Sequence, residues 1–198
     1  MENKSRFEEY KKVFLEENSK HNLISKNDEK FLWEKHYFDS ISIGRFFKKY
    51  NIKNPSILDI GCGGGFPCIP VAIEFPEVNI VGIDSIRKKI NSVETMRDKL
   101  NLKNLKLICD RVENLKEQEF DIIISRAVAD LGKLTDYALP LLKKDGYFVA
   151  YKSKKALEEI EGSKTVLEKY NAKVIDILEY QLPMEEVYER NLVVICLC

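Results

Sequence analysis

The chain has 198 residues, 44% of them hydrophobic, enough for one domain with a sizeable core. Lysine plus arginine and aspartate plus glutamate balance at 32 each, so the net charge is zero. That excludes a protein that coats nucleic acid by bulk charge but leaves room for a local basic face. The longest apolar runs are strand-length and the first residues lead into a charged helix, so neither a transmembrane helix nor a signal peptide is expected. The expectation is a soluble cytoplasmic protein. Cys62, Cys68, Cys109, Cys196 and Cys198 form no C-x-x-C pair and have His21 and His36 as their available companions. Metal binding is therefore not expected, and the thiols read as unpaired in a reducing compartment.

Phe7, Tyr10 and Phe14 recur at spacings of three and four, which predicts an amphipathic helix over 3–18, broken by Asn18-Ser19-Lys20-His21-Asn22. A second helix is expected from an Asn27-Asp28 cap to about Tyr50. Strands and helices then alternate: strand 56–60, helix 67–75, strand 78–84, helix 86–100, strands 105–109 and 120–125, helix 131–142, strand 146–151 and helix 154–170. Two β-rich runs, 173–180 and 187–197, close the chain with no helix between them. This order predicts a mainly parallel, twice-covered sheet with an antiparallel C-terminal hairpin. Residues 1–50 read as a helical cap on a core formed by 51–198, within a single domain.

The most informative stretch is Ile57-Leu58-Asp59-Ile60-Gly61-Cys62-Gly63-Gly64-Gly65-Phe66-Pro67. Strand, glycine loop and helix open a nucleotide-type α/β domain. Gly61 and Gly63 fit the first two positions of the dinucleotide fingerprint, but Phe66 takes the third and Pro67 has no N–H to offer a phosphate. Pyrophosphate is disfavoured. Asp84 closes the second strand, where a carboxylate can accept from both ribose hydroxyls, and Cys109-Asp110-Arg111-Val112-Glu113 follows the third, where it could flank an adenine. Arg126 ends the fourth, at the rim where open α/β sheets bind ligands. Each residue has a plainer reading: Phe66 as core, Asp84 as a helix cap, Glu113 as a solvated carboxylate, Arg126 as the partner of a nearby aspartate. His36 and Asp39, three apart, either hold the cap on the sheet or line a substrate entrance.

At this point the sequence resembles the RsmG family, formerly the glucose-inhibited division protein B family, bacterial 16S ribosomal RNA guanine-N7 methyltransferases of class I. The carrying stretch is Asp59-Ile60-Gly61-Cys62-Gly63-Gly64-Gly65-Phe66-Pro67-Cys68-Ile69-Pro70. It is joined by Asn22-Leu23-Ile24-Ser25, Lys35-His36-Tyr37-Phe38-Asp39-Ser40, Asp84-Ser85-Ile86-Arg87-Lys88-Lys89, Ser125-Arg126-Ala127-Val128-Ala129 and Arg190-Asn191-Leu192-Val193-Val194-Ile195. Cys62 and Cys68 stand where that family usually has Ser/Thr and Gly, Lys35 where it has Arg, and Ser153 follows Lys152 where Gly is usual. The resemblance implies a Rossmann-like fold with a seven-stranded sheet and S-adenosylmethionine as cofactor. It places the cofactor on Gly61, Phe66, Asp84, Ser85, Val112, Glu113 and Arg126.

The implied substrate is a guanine of 16S ribosomal RNA. Its N7 carries a lone pair and no proton, so transfer needs alignment and charge stabilisation rather than a general base, and no catalytic base is assigned. Arg87 and Lys152 are the rim cations best placed for RNA phosphate. The neutral overall charge favours an assembled small-subunit particle over naked RNA, and a monomeric enzyme is expected. The rival readings are a small-molecule methyltransferase, a nicotinamide oxidoreductase and a non-catalytic ribosome-binding protein.

Overall fold

Phe7, Tyr10 and Phe14 are all buried on one face of helix α1 (Lys4–His21). The computed structural model describes residues 4–198 apart from 117 and 127, so residue 3 of the expected helix and Ala127 of the quoted motif lie outside the described residues. The helix runs past its predicted break. Asn18 stays helical and buried, and its amide fastens the next segment, donating to Glu29 Oε1 at 2.7 Å and accepting from Ile24 N–H at 2.8 Å. Asn22, at φ +49°, ends it.

The expected helix from 28 to 50 is broken. A 3₁₀ turn (Asp28–Phe31) and a π-helix (Leu32–Phe38) lead into α2 (Asp39–Ile41), and α3 (Gly44–Lys49) follows. Two serines back-bond here, Ser40 to His36 O at 2.6 Å and Ser42 to Phe38 O at 2.9 Å, competing for helical carbonyls. Tyr37, Asp39 and Ser40 are consequently all turned into the interior. Regular periodicity in the sequence could not announce that arrangement.

The core follows as β1 (Ser56–Ile60), α4 (Cys68–Glu74), β2 (Asn79–Ile83), α5 (Arg87–Lys99), β3 (Leu105–Ile108), β4 (Phe120–Arg126), α6 (Leu131–Ala138), β5 (Leu142–Ser153), α7 (Ala156–Gly162), α8 (Lys164–Lys169), β6 (Ala172–Gln181) and β7 (Glu189–Leu197). The seven-stranded sheet has the order β3-β2-β1-β4-β5-β7-β6. Neighbours from β3 to β5 pair in parallel, and β7 is antiparallel to both β5 and β6. The mainly parallel sheet and its C-terminal hairpin are as the alternation predicted. Two details differ. The helix expected to reach 142 stops at Ala138, because Pro140 cannot donate a helical N–H and sits in a 3₁₀ turn. The helix expected over 154–170 is two, meeting at Ser163, whose N–H and hydroxyl both bond Ile160 O.

Side chains alternate across the sheet. Ile57, Ile80, Ile122, Val149 and Val194 face the N-terminal helices, α4 and α5, while Leu58, Ile123, Phe148 and Val193 face α6 to α8. Among the described residues no helix is long and apolar enough to cross a membrane. Burial on both faces leaves the rim at the C-terminal strand ends as the place where polar groups collect.

Candidate active site

The glycine loop is shaped by its neighbours. Gly61 and Cys62 donate to Ile83 O at 2.8 and 3.0 Å, which carries the loop across the end of β2. Gly61 has φ +71°, and a Cβ there would lie 2.5 Å from Val128 Cγ2. Only glycine suits that backbone and that spacing. Asp84 then locks the loop: Oδ2 accepts Gly63 N–H at 3.0 Å and Oδ1 accepts Ile86 N–H at 2.9 Å, just before α5. Asp84 thus braces a local turn ahead of α5 rather than capping it, since the helix's N-cap is Ile86 and no side chain caps it. Beneath the loop, buried Asp59 accepts Cys68 N–H on Oδ2 at 3.1 Å, while Oδ1 is buried with no hydrogen-bond partner among the described residues. Burial pushes its carboxyl up to about 7.

All seven residues expected to touch the cofactor, Gly61, Phe66, Asp84, Ser85, Val112, Glu113 and Arg126, line one cleft of about 630 Å³. That volume is in the range of small-molecule sites. Asp84, Val112 and Glu113 stand past the ends of β2 and β3, and Arg126 ends β4. Phe66 serves two purposes: it is 5% exposed, packed with Tyr10, Phe14, Tyr37 and His36, and its ring also meets the cleft. Leu23, Ile24 and His36 join from the N-terminal segment, and Tyr137 from α6. The Asn22-Leu23-Ile24-Ser25 motif was a signal for the first two; nothing in the spacing signalled Tyr137. Arg87 is exposed at the start of α5, and Lys89, two residues on, is the cation of that run that reaches the cleft wall.

Arg126 is a junction. Nη1 donates to Asp39 Oδ2 and to Lys35 O, both at 3.0 Å, and Nη2 donates to His36 Nδ1 at 3.1 Å. A guanidinium can only donate, so His36 Nδ1 accepts and the proton of the neutral ring sits on Nε2. Burial and the adjoining Arg126 charge push the His36 imidazole down to about 4. Asp39 Oδ1 takes the Tyr180 hydroxyl at 2.7 Å, and the Tyr151 hydroxyl donates to Ser40 O at 2.6 Å. The cap is thereby bolted to β4, β5 and β6. Of the two readings of His36 and Asp39, the structure shows the first, since they fasten the cap; His36 also lines the cleft.

A model for a protein family described as GidB, rRNA small subunit methyltransferase G, matches residues 3–192. The chain belongs to this family. A ribosomal RNA small subunit methyltransferase G from Bacillus licheniformis is 38% identical over 196 residues, covering 96% of this chain and 80% of that one. One of the same name from Acetivibrio thermocellus is also 38% identical, over 96% of this chain and 78% of its own. Among solved structures, an S-adenosylmethionine-dependent methyltransferase from Clostridium acetobutylicum has a TM-score of 0.66 at 16% identity, over 86% of this chain and 95% of that one. M. jannaschii TYW2 in complex with AdoMet has a TM-score of 0.61 at 19% identity, over 79% and 75%. The resemblance drawn from the motifs is borne out by the family, and the class I fold by the structures.

In this member of the GidB family a second cavity, about 440 Å³, adjoins the first; both are lined by His36 and Arg126. Lys152, expected at the rim as a phosphate contact, lies in its wall and is 7% exposed. Its ammonium donates to Glu159 Oε2 at 2.6 Å and to Ala129 O at 2.9 Å. Buried near the end of β5, this lysine is turned toward the cavity and its partners rather than toward open solvent.

Proposed function

We propose that the larger cleft is the S-adenosylmethionine site and that the RNA base approaches it past Arg126. As a member of its family the chain is an S-adenosylmethionine-dependent methyltransferase of small-subunit ribosomal RNA, acting on N7 of a guanine in 16S RNA. The residues fit the cofactor. The Gly61 backbone lies against the cleft where a side chain would intrude, Asp84 has lone pairs left for ribose hydroxyls, and Val112 offers an apolar wall for an adenine beside the Glu113 carboxylate. Arg126 is suited to an anionic carboxylate. When bound, S-adenosylmethionine supplies an electrophilic methyl group.

The chain's own task is alignment and charge stabilisation, because N7 presents a lone pair with no proton to remove. The observation that carries this reading is the gathering of all seven expected residues in one cleft at the strand ends. The proposal extends to one domain with residues 1–50 as its cap, to a monomer in the cytoplasm, and to an assembled small-subunit particle as substrate, with Arg87 near its phosphates. Zero net charge supports the particle, since naked RNA would be held weakly. Calorimetry with S-adenosylmethionine should show binding. Mass-spectrometric mapping of 16S RNA from a strain lacking the gene should show loss of one N7-methylguanine, and its retention rejects the proposal.

A further inference from the structure

Glu159 stands in the wall of the second cavity with its carboxylate clamped from one side. Oε2 accepts the Lys152 ammonium at 2.6 Å and the Leu131 N–H, at the start of α6, at 3.0 Å. Lys152 is in turn fixed by Ala129 O at 2.9 Å, and its side chain is 6% exposed against 26% for Glu159. A buried lysine and a helix N-terminal N–H therefore hold one partly exposed carboxylate in a set orientation. Oε1 makes no hydrogen bond among the described residues. The other carboxylates of this cavity are engaged at both oxygens: Asp28 by Lys35 and Ser25, Asp39 by Arg126 and Tyr180. Of the three, Glu159 alone has an oxygen with no hydrogen bond among the described residues.

The cavity's place says which ligand. It shares His36 and Arg126 with the proposed cofactor cleft, and its volume of about 440 Å³ admits a nucleobase. A guanine with N7 turned to the cleft presents its Watson–Crick edge, with the N1–H and N2 amino donors, to the side, where the second cavity adjoins. Glu159 Oε1, with two lone pairs, can accept from both. Adenine presents a lone pair at N1 there, which a carboxylate repels. Positive charge arriving on the ring at N7 makes N1–H a stronger donor, so the contact tightens as transfer proceeds.

We propose that Glu159 is the specificity residue that selects guanine, accepting hydrogen bonds from N1–H and the N2 amino group of the target base. This rests on the proposed methyl transfer to guanine N7. The test uses full-length wild type, Glu159→Ala and Glu159→Gln on reconstituted small-subunit particles carrying guanine or inosine, which lacks the N2 amino group, at the methylated position. Wild type should prefer guanine by ~10-fold or more in kcat/KM, the range of a buried hydrogen bond to a charged group. Both variants should fall by ~10- to 100-fold on guanine and lose the preference, with S-adenosylmethionine affinity within about twofold of wild type. Glu159→Gln keeps the acceptor that faces Lys152 and Leu131, so it decides the matter if Glu159→Ala does not fold. Unchanged guanine-to-inosine ratios in a folded variant, or no preference in wild type, overturn the inference alone. A wild type that methylates no guanine overturns the underlying reading and the inference with it.

Discussion

Arg126 and Asp39 meet at 3.0 Å across 87 positions of sequence, one at the end of β4 and the other at the start of α2. Asp39 is almost completely buried and Arg126 nearly so, and the pair sits where the two cavities adjoin. Arg126 is therefore both the fastening of the cap and part of the wall shared by the two cavities. A change at either residue is expected to be felt in folding and in binding together.

Truncating Arg126 separates the two effects. Arg126→Ala leaves the Asp39 carboxylate buried without its main cation, a loss of about 3–5 kcal/mol for breaking a buried pair. Arg126→Lys restores charge but not the fork that reaches Lys35 O, Asp39 and His36 at once. Denaturant unfolding should place Lys between wild type and Ala, while S-adenosylmethionine calorimetry should show both variants weakened by ~10-fold or more. A lysine variant that binds like wild type would remove Arg126 from the proposed cofactor contacts.

Gly61 tests the loop. Gly61→Ala meets Val128 at 2.5 Å and forces a side chain to φ +71°. Cofactor affinity should fall by at least ~10-fold, since left-handed backbone strain and a close contact each cost on the order of 1 kcal/mol or more. Adding Val128→Ala relieves the clash and leaves the backbone strain, so calorimetry on the double variant should show partial recovery. Full-strength binding by Gly61→Ala would contradict close approach of the loop to the ligand.

Asp84 and Glu113 share the cleft but differ in what else they hold. Asp84 accepts from Gly63 and Ile86 N–H, so Asp84→Ala should lower both thermal stability and cofactor affinity. Glu113 is exposed, so Glu113→Gln should leave the melting temperature within about 1 °C, as surface changes do, and weaken binding by ~10-fold or less. Equal melting losses in the two variants would show that Glu113 carries a structural bond.

The sheet was legible because its strands are short apolar runs punctuated by glycine, and burial on both faces demands such runs. The cleft was legible for the same reason: Gly61, Asp84 and Val112 each follow a strand and Arg126 ends one, and strand ends in a parallel sheet gather at one rim. Residues 28–49 were not. Their π-turn and serine back-bonds answer to tertiary partners, Arg126 above all, which lie about ninety positions away. Lys152 reads as a surface cation in a list of lysines, and it takes the folded β5 and α7 to show that its charge is committed to Glu159.

Buried Asp59 and half-buried His36 should give the protein opposing pH responses. Asp59 is raised from 3.8 to about 7 by burial, so its proton is held in the folded state while the unfolded chain releases it above 3.8. Its contribution is complete below about pH 4 and is lost as pH rises to 7. His36 is lowered from 6.5 to about 4 by burial and by Arg126, so its contribution is complete above 6.5 and is lost as pH falls to 4. Between pH 4 and 6.5 the two slopes oppose each other in the wild type. At about 1.4 kcal/mol per pH unit, the upper figures are about 3 kcal/mol for His36 and somewhat over about 4 kcal/mol for Asp59. Asp59→Asn removes the first response, so its stability relative to wild type should climb from pH 4 to 7 and then level. His36→Gln removes the second, so its stability relative to wild type should climb as pH falls from 6.5 to 4. Urea midpoints taken across this range check both, and the difference from wild type cancels the carboxylates common to all three proteins. Parallel profiles would mean that neither group titrates with folding, and that Asp59 Oδ1 finds a partner for its charge in solution.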